Sequence, residues 1–361
     1  MTTNMIKPFN PDDLRFTPPS FQVDILRQFL LDQYGVTGAF KTLAGERDQN
    51  MSVTTEEGVK YIFKIASADE LDESVDFQIK ALLHLQQKDP GLSVPRQIRN
   101  KSGESYSVLN DENGLAHMAR LLSYVDGCPV SEFDHLPFDA IREVGRITGR
   151  LCAGLNGFDH AAASHFMPWD SLNQIIFTEE LRQKYTPDDF KPLAEVHLKR
   201  LQAYGMPKLL ALPRQVIHND GHSGNVMCAP DNPVNVTGII DFGDLIAGPV
   251  IVDLAVSLNS MMDHNSDILA STSAMLEGYK KSVIIPDKQL ELLYDALTVR
   301  SLLNVQLLYY RSIHHAHDEQ KLLEEDFEGT LEKAKIFLGF SRDVFNDHVS
   351  SITAHRSSFN D

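Results

Sequence analysis

The chain changes character near residue 130, and that change limits what it can fold into. Ahead of it, short apolar stretches alternate at strand period between turn residues; behind it, apolar residues recur at helical spacing over long segments. Residues 19–34, "PSFQVDILRQFLLDQY", open the front part with a helix carrying Phe21, Ile25, Phe29 and Leu30 on one face and Gly35 as its stop. "VTGAFKTLAGERDQNMSVTTEEGVKYIFKIA" then reads as strands broken by turns, with Lys64 embedded in the last one. Residues 70–88 turn helical, with Leu71, Val75, Ile79, Leu82 and Leu83 sharing a face, and "SVPRQIRN", "SYSVLN" and "AHMARLLSYVDGCPV" supply further strands. In the rear part the one strand-like interruption is residues 214–241. The pattern predicts an α+β fold: a strand-rich lobe over 1–120, a helical lobe behind it, and a ligand site where a polar hairpin meets their junction.

At 361 residues the chain is long enough for two lobes, and 42% apolar with 23% charged is ordinary globular composition. Its longest apolar runs fall well short of the roughly 20 residues that span a bilayer, and "MTTNMIKPFNPDDLRF" has no signal-type apolar core. Cys128, Cys152 and Cys228 are too scattered for a disulfide framework or a zinc ribbon, so a reduced, cytoplasmic setting is expected. A formal charge of −17 repels nucleic acid and anionic membranes and favours cationic ligands.

Two chemistries compete for "VIHNDGHSGNV", residues 216–226. His218, Asp220 and His222 could ligate zinc in a hydrolase, yet no H-x-H-x-D-H or H-E-x-x-H spacing accompanies them. The downstream stretch "NVMCAPDNPVNVTGIIDFGD" favours the other chemistry. Val226–Ala229 and Val234–Ile240 read as strands around a Pro230–Pro233 turn. Such a hairpin brings Asp220, Asn225 and Asp241 towards one end, a set of hard oxygen donors suited to magnesium and phosphates. Phosphoryl transfer then assigns Asp220 as base, Asn225 and Asp241 as magnesium ligands, and Lys64 as the strand lysine on the phosphates. A lysine flanked by Ile62, Phe63 and Ile65 is costly to bury without an anion. His218 is read as a loop organiser and His222 as a turn residue.

H-x-D-x-x-x-x-N, the later I-D-F-G-D and the upstream strand lysine resemble the aminoglycoside phosphotransferase and choline kinase superfamily, small-molecule kinases of protein-kinase-like fold. "LAGERDQN", "YIFKIA", "RLLSYVDGCPV" and "IIDFGDLIAGP" are most similar to its hydroxylysine kinase branch. The resemblance implies a connector over 121–126 that meets the purine through Leu122 and Tyr124, and a helical lobe over 127–361. It implies a phosphate-covering loop with Arg47 and Gln49, and an acid that orients Lys64, with Asp76 chosen from register and Glu73 as the alternative. Asp253 would buttress the catalytic loop. Asn219 stands where the family usually has glycine, and asparagine tolerates left-handed backbone.

The implied cofactors are Mg2+ and ATP or GTP. The implied acceptor carries an amine and a hydroxyl, with a hydroxylated amino acid such as 5-hydroxylysine favoured over homoserine, choline, ethanolamine or aminoglycosides. Asp244 and Tyr309 are the expected acceptor contacts, with Tyr310 and Asp263 as further candidates. Two other classes stay open, a catalytically silent binding module and a protein kinase. The missing glycine-rich loop and the short gap between Asp241 and the "DLAVSL" segment weigh against the latter.

Overall fold

The computed structural model describes residues 7–10, 14, 18–70, 72–314 and 320–357; Leu71 lies outside them. The front lobe is an antiparallel sheet of β1 (Ala39–Leu43), β2 (Gln49–Thr54), β3 (Lys60–Ile65), β4 (Gln97–Ile98), β5 (Ser107–Asn110) and β6 (Ala116–Ser123). The strand order is β1-β2-β3-β6-β4, with β5 also on β6. Alternation splits β3: Phe63 and Ile65 are fully buried on one face, whereas Ile62 and Lys64 point to the other. Under the first face lies α1 (Val23–Tyr34), which ends at left-handed Gly35. Its buried pair is Leu26 and Leu30, while Ile25 is exposed. The helix starts only at Val23, so Phe21 cannot set the face, and the i, i+4 leucines point at the sheet instead.

Across the opposite side runs α2 (Asp72–Lys88), with Val75, Phe77, Ile79, Leu82 and Leu85 buried. Phe77, Leu82 and Leu85 belong to the core of the rear lobe, so this helix ties the lobes together. The first described residues also cross over. Phe9 meets Tyr310 edge-on at 5.2 Å and Tyr185 at 5.9 Å, placing the start of the expected front lobe on the helical one.

The rear lobe centres on helices Phe138–Leu155 and Ile268–Tyr279, whose backbones come unusually close. A Cβ at Gly145 would stand 2.3 Å from the Met275 carbonyl oxygen, and one at Gly278 only 1.9 Å from that of Arg142. Hydrogen at these positions is what allows the approach. Helix Val250–Met261 packs against this pair, Leu293–His314 packs on Val250–Met261, and Gln320–Gly339 covers Leu293–His314. Short strands face the junction: β7 (Cys128–Pro129), β8 (Gln215–Ile217), β9 (Val226–Ala229), β10 (Asn232–Ile239) and β11 (Ile246–Gly248). β9 and β10 form a hairpin, and β8 pairs with β11. No described helix is long and apolar enough to cross a membrane, and the three cysteines are free thiols.

Candidate active site

The loop after β8 is held from beneath. Asn219 adopts φ +64°, and its N–H donates to Asp253 Oδ1 at 2.8 Å. Asp253 opens the Val250–Met261 helix from a buried position, and burial raises its carboxyl to about 6. Ser223 N donates to Ser260 Oγ on the same helix at 2.8 Å. His222 Nδ1 accepts from Gly224 N at 3.0 Å, so this histidine closes the turn. His218 is buried edge-on against Phe242, with centroids 4.9 Å apart. Burial lowers the His218 imidazole to about 4, which keeps it neutral at physiological pH.

Asn225 Nδ2 bridges the backbone oxygen of Asp220 at 2.9 Å and its Oδ2 at 2.7 Å. The hairpin supplies the third member: Ile240 N donates to Asn225 O at 2.9 Å, and Asp241 follows at φ +59°. Asp241 Oδ1 accepts from Gly243 N at 3.1 Å. Burial, then repulsion from Asp244, pushes Asp220 well above the ordinary carboxylate range. Asp241 goes the other way, held at about 2 chiefly by Lys64. Burial pulls the Lys64 ammonium down, but Asp241 and Asp48 outweigh it and hold it above its ordinary value.

The partner of Lys64 is neither Asp76 nor Glu73. Lys64 Nζ lies 3.1 Å from Asp48 Oδ2 and 4.0 Å from Asp241 Oδ1. Asp76 bonds Lys80 at 2.6 Å and His160 at 3.0 Å, and Glu73 is exposed in the first turn of α2. The inward residue is Gln78, two positions and about 200° of helix further on, where it accepts from Arg120 and donates to Glu70 at 3.0 Å. Buried Arg120 stands opposite Lys64 in the sheet register and 3.7 Å from Asp48. The loop between β1 and β2 reaches across the junction: Arg47 pairs with Asp244, and Glu46 with Arg311. Gln49 faces away, exchanging hydrogen bonds of 2.8 and 2.9 Å with the backbone of Phe21. Its neighbour Asn50 takes the cavity side.

Two cavities meet here. The smaller, about 350 Å³, is walled by Ile62, Leu122, Tyr124, Val125, Met227 and Phe242, apart from its polar end. The larger, about 580 Å³, contains Asp220, Asp244, Asp263, Arg300, Asn304 and Trp169. Lys64, Asn50 and Asp241 line both. Tyr309 lines neither cavity; it stacks on Phe327 at 4.9 Å because one step along the helix turns it towards Gln320–Gly339. Tyr310 is buried against Tyr185 and Phe9. Asp48, Glu70, Arg120, Trp169 and Arg300 were not anticipated from sequence. Of these, Arg300 had a signal, a lone charge within an otherwise apolar helical run.

Asp241, which lines both cavities, offers a carboxylate oxygen to a hard cation beside phosphates, and Asn225, bonded to Asp220, offers an amide oxygen from outside the cavity walls. Among the described residues no three His, Cys, Asp or Glu side chains gather as a metal site by themselves.

Known proteins share this fold. A hydroxylysine kinase of Danio rerio is 23% identical over 301 residues, covering 80% of this chain and 84% of that one. Among solved structures, a microcompartment-associated aminopropanol kinase superposes with TM-score 0.67 at 18% identity, over 88% of this chain and 98% of that one. An amicoumacin kinase in complex with AMP-PNP and Ca2+ gives TM-score 0.63 at 19% identity, over 87% and 94%. Residues 40–280 match the phosphotransferase enzyme family. The chain belongs to that family, and it is a kinase that phosphorylates hydroxyl groups of small molecules.

Proposed function

We propose that the protein transfers the γ-phosphoryl group of ATP or GTP to the hydroxyl of a hydroxylated amino acid, 5-hydroxylysine being the first candidate. One observation carries this reading: Lys64 and Asp241 sit where the two cavities join, and Asp220 lines only the larger one. The smaller cavity, flat-walled by Ile62, Leu122 and Phe242, suits a purine, with its phosphates directed to Lys64 and Arg47. Asn225 and Asp241 would hold Mg2+, which neutralises phosphate charge when bound. The acceptor then occupies the larger cavity with its hydroxyl at Asp220.

Asp220 orients that hydroxyl and takes its proton. The acceptor's hydroxyl oxygen bonds to the γ-phosphorus as the bond to the β,γ-bridging oxygen breaks, and the nucleoside diphosphate leaves. Asn225, bonded to Oδ2, fixes the rotamer of Asp220. Lys64 offsets charge on the departing phosphate. The hydroxylysine kinase relative supports the amino-acid acceptor over choline or aminoglycosides.

The test is a screen of ATP and GTP against 5-hydroxylysine, homoserine, choline, ethanolamine and aminoglycosides, with Asp220→Asn as control. Turnover of a hydroxylated amino acid that drops at least about 100-fold in the variant is expected. Full activity in Asp220→Asn would remove Asp220 as the base. Absence of turnover with every acceptor would favour a silent binding module.

A further inference from the structure

We infer that Arg300 binds a carboxylate of the acceptor, which makes it the residue that separates hydroxylated amino acids from plain amino alcohols. This rests on the proposed phosphoryl transfer and adds the part of the acceptor that the transfer itself does not use. Arg300 lies on the Leu293–His314 helix and is only 6% exposed, yet it lines the larger cavity together with Asp220. Its Nη1 donates to the Trp169 carbonyl oxygen at 2.9 Å. Among the described residues no carboxylate is in ion-pair contact with it. Asp220, Asp244 and Asp170 act on it from further off, and burial dominates, holding it below its ordinary value. A guanidinium buried without a contacting anion is costly, and an anion brought by a ligand would offset that cost.

The position indicates which anion. Nucleotide phosphates enter from the smaller cavity, where Lys64 and Arg120 stand; Arg300 is absent from its walls. Arg300 faces acceptor space. Nearby Arg311 is occupied by Glu46 of the β1–β2 loop, so a second cation at this wall already carries a carboxylate. Both guanidiniums lie over the ring of Trp169, at 5.8 Å for Arg300 and 5.3 Å for Arg311, which fixes the planar fork that a carboxylate meets with two parallel bonds. Asp263, further along the cavity, is already paired with Lys333 at 2.9 Å, so Arg300 alone indicates the charge of the acceptor. A hydroxyl at Asp220 and a carboxylate at Arg300 describe a hydroxylated amino acid.

The experiment compares 5-hydroxylysine with its decarboxylated counterpart 1,5-diaminopentan-2-ol, and lysine with cadaverine as unreactive probes. The first pair is read by initial rates. The second is read by emission of Trp169, the single tryptophan of the chain. In the parent, kcat/KM should favour the amino acid by about 100-fold, through KM, and lysine should bind more tightly than cadaverine by a similar factor. Arg300→Gln should collapse both ratios towards one, and Arg300→Lys should restore part of each, with far-UV circular dichroism confirming the fold. Equal treatment of the paired compounds by the parent overturns the inference. So does an Arg300→Gln variant that keeps the ratios while kcat falls for both acceptors, which would make Arg300 a phosphate contact. If neither hydroxyl compound is phosphorylated, the 5-hydroxylysine reading fails by itself. The lysine and cadaverine titrations then still decide the carboxylate site.

Discussion

Asp48→Asn isolates the ion cluster behind the phosphate clamp. Asp48 is 8% exposed, and its Oδ2 lies 3.1 Å from Lys64 Nζ and 3.7 Å from Arg120 Nη2. Removing one partner of a buried ion pair costs about 3–5 kcal/mol, because the charge left behind has lost its counter-ion. Asparagine keeps an oxygen acceptor, and Asp241 and Glu70 still act on these cations. Both features bring the cost below that range, so the loss expected for the ligand-free protein is about 2–3 kcal/mol. Urea unfolding should show it as a lower midpoint with an unchanged slope. The cost should shrink with saturating magnesium nucleotide, since phosphates would supply the missing anion next to Lys64. A double-mutant cycle with Lys64→Met checks the pairing, and a coupling of about 1–3 kcal/mol is expected. A ligand-free loss below about 0.5 kcal/mol, no larger than a surface substitution, would refute the claim that Asp48 neutralises Lys64 and Arg120.

Three other outcomes test the frame of the site. Asn219→Ala should destabilise by about 1 kcal/mol because of the φ of +64°, whereas Asn219→Gly should stay close to the parent; equal losses in chemical denaturation would point to side-chain contacts instead. Asp241→Ala should abolish magnesium-supported nucleotide binding in calorimetry, and unchanged affinity would take Asp241 out of the phosphate site. Asp253 provides a pH test. Its folded value of about 6 exceeds the ordinary 3.8, so the folded state holds the extra proton between those values and this group's contribution falls as pH rises through them. Asp253→Asn removes the titration, so its stability relative to the parent should rise by about 3 kcal/mol between pH 4 and pH 6 and then level off. A flat difference across that window in urea unfolding would show that Asp253 ionises normally.

Which parts of the site could be read from the chain follows from how each residue is placed. Asp220, Asn225 and Asp241 come together through one hairpin and its flanking loop, so contiguous sequence contains their geometry. Ile239 pairs with Val226, which sets Ile240 against Asn225 with Asp241 one residue beyond, and Asn225 in turn holds Asp220. Lys64 is similar, because strand alternation alone puts it opposite Phe63 and Ile65. Asp48 lies in a turn, and no periodicity fixes where a turn residue points. Gln49 and Tyr309 were expected at the site, but each side chain turns to a neighbouring element, the start of α1 for one and Phe327 for the other.

The error at Asp76 is of another kind. Helical position was known only to within a residue or two, and a shift of two residues carries a side chain to the opposite face. Asp76 therefore meets Lys80 and His160, and the inward place goes to an uncharged Gln78. With no acid on α2 to receive it, Lys64 depends on Asp48 from the phosphate loop. The strand lysine is then coupled to the same loop that reaches Asp244 through Arg47 and Arg311 through Glu46. Lys64 and the contacts of this loop with the rear lobe thereby rest on three consecutive residues, Glu46, Arg47 and Asp48. In a kinase that orients its lysine from a helix the two can vary separately.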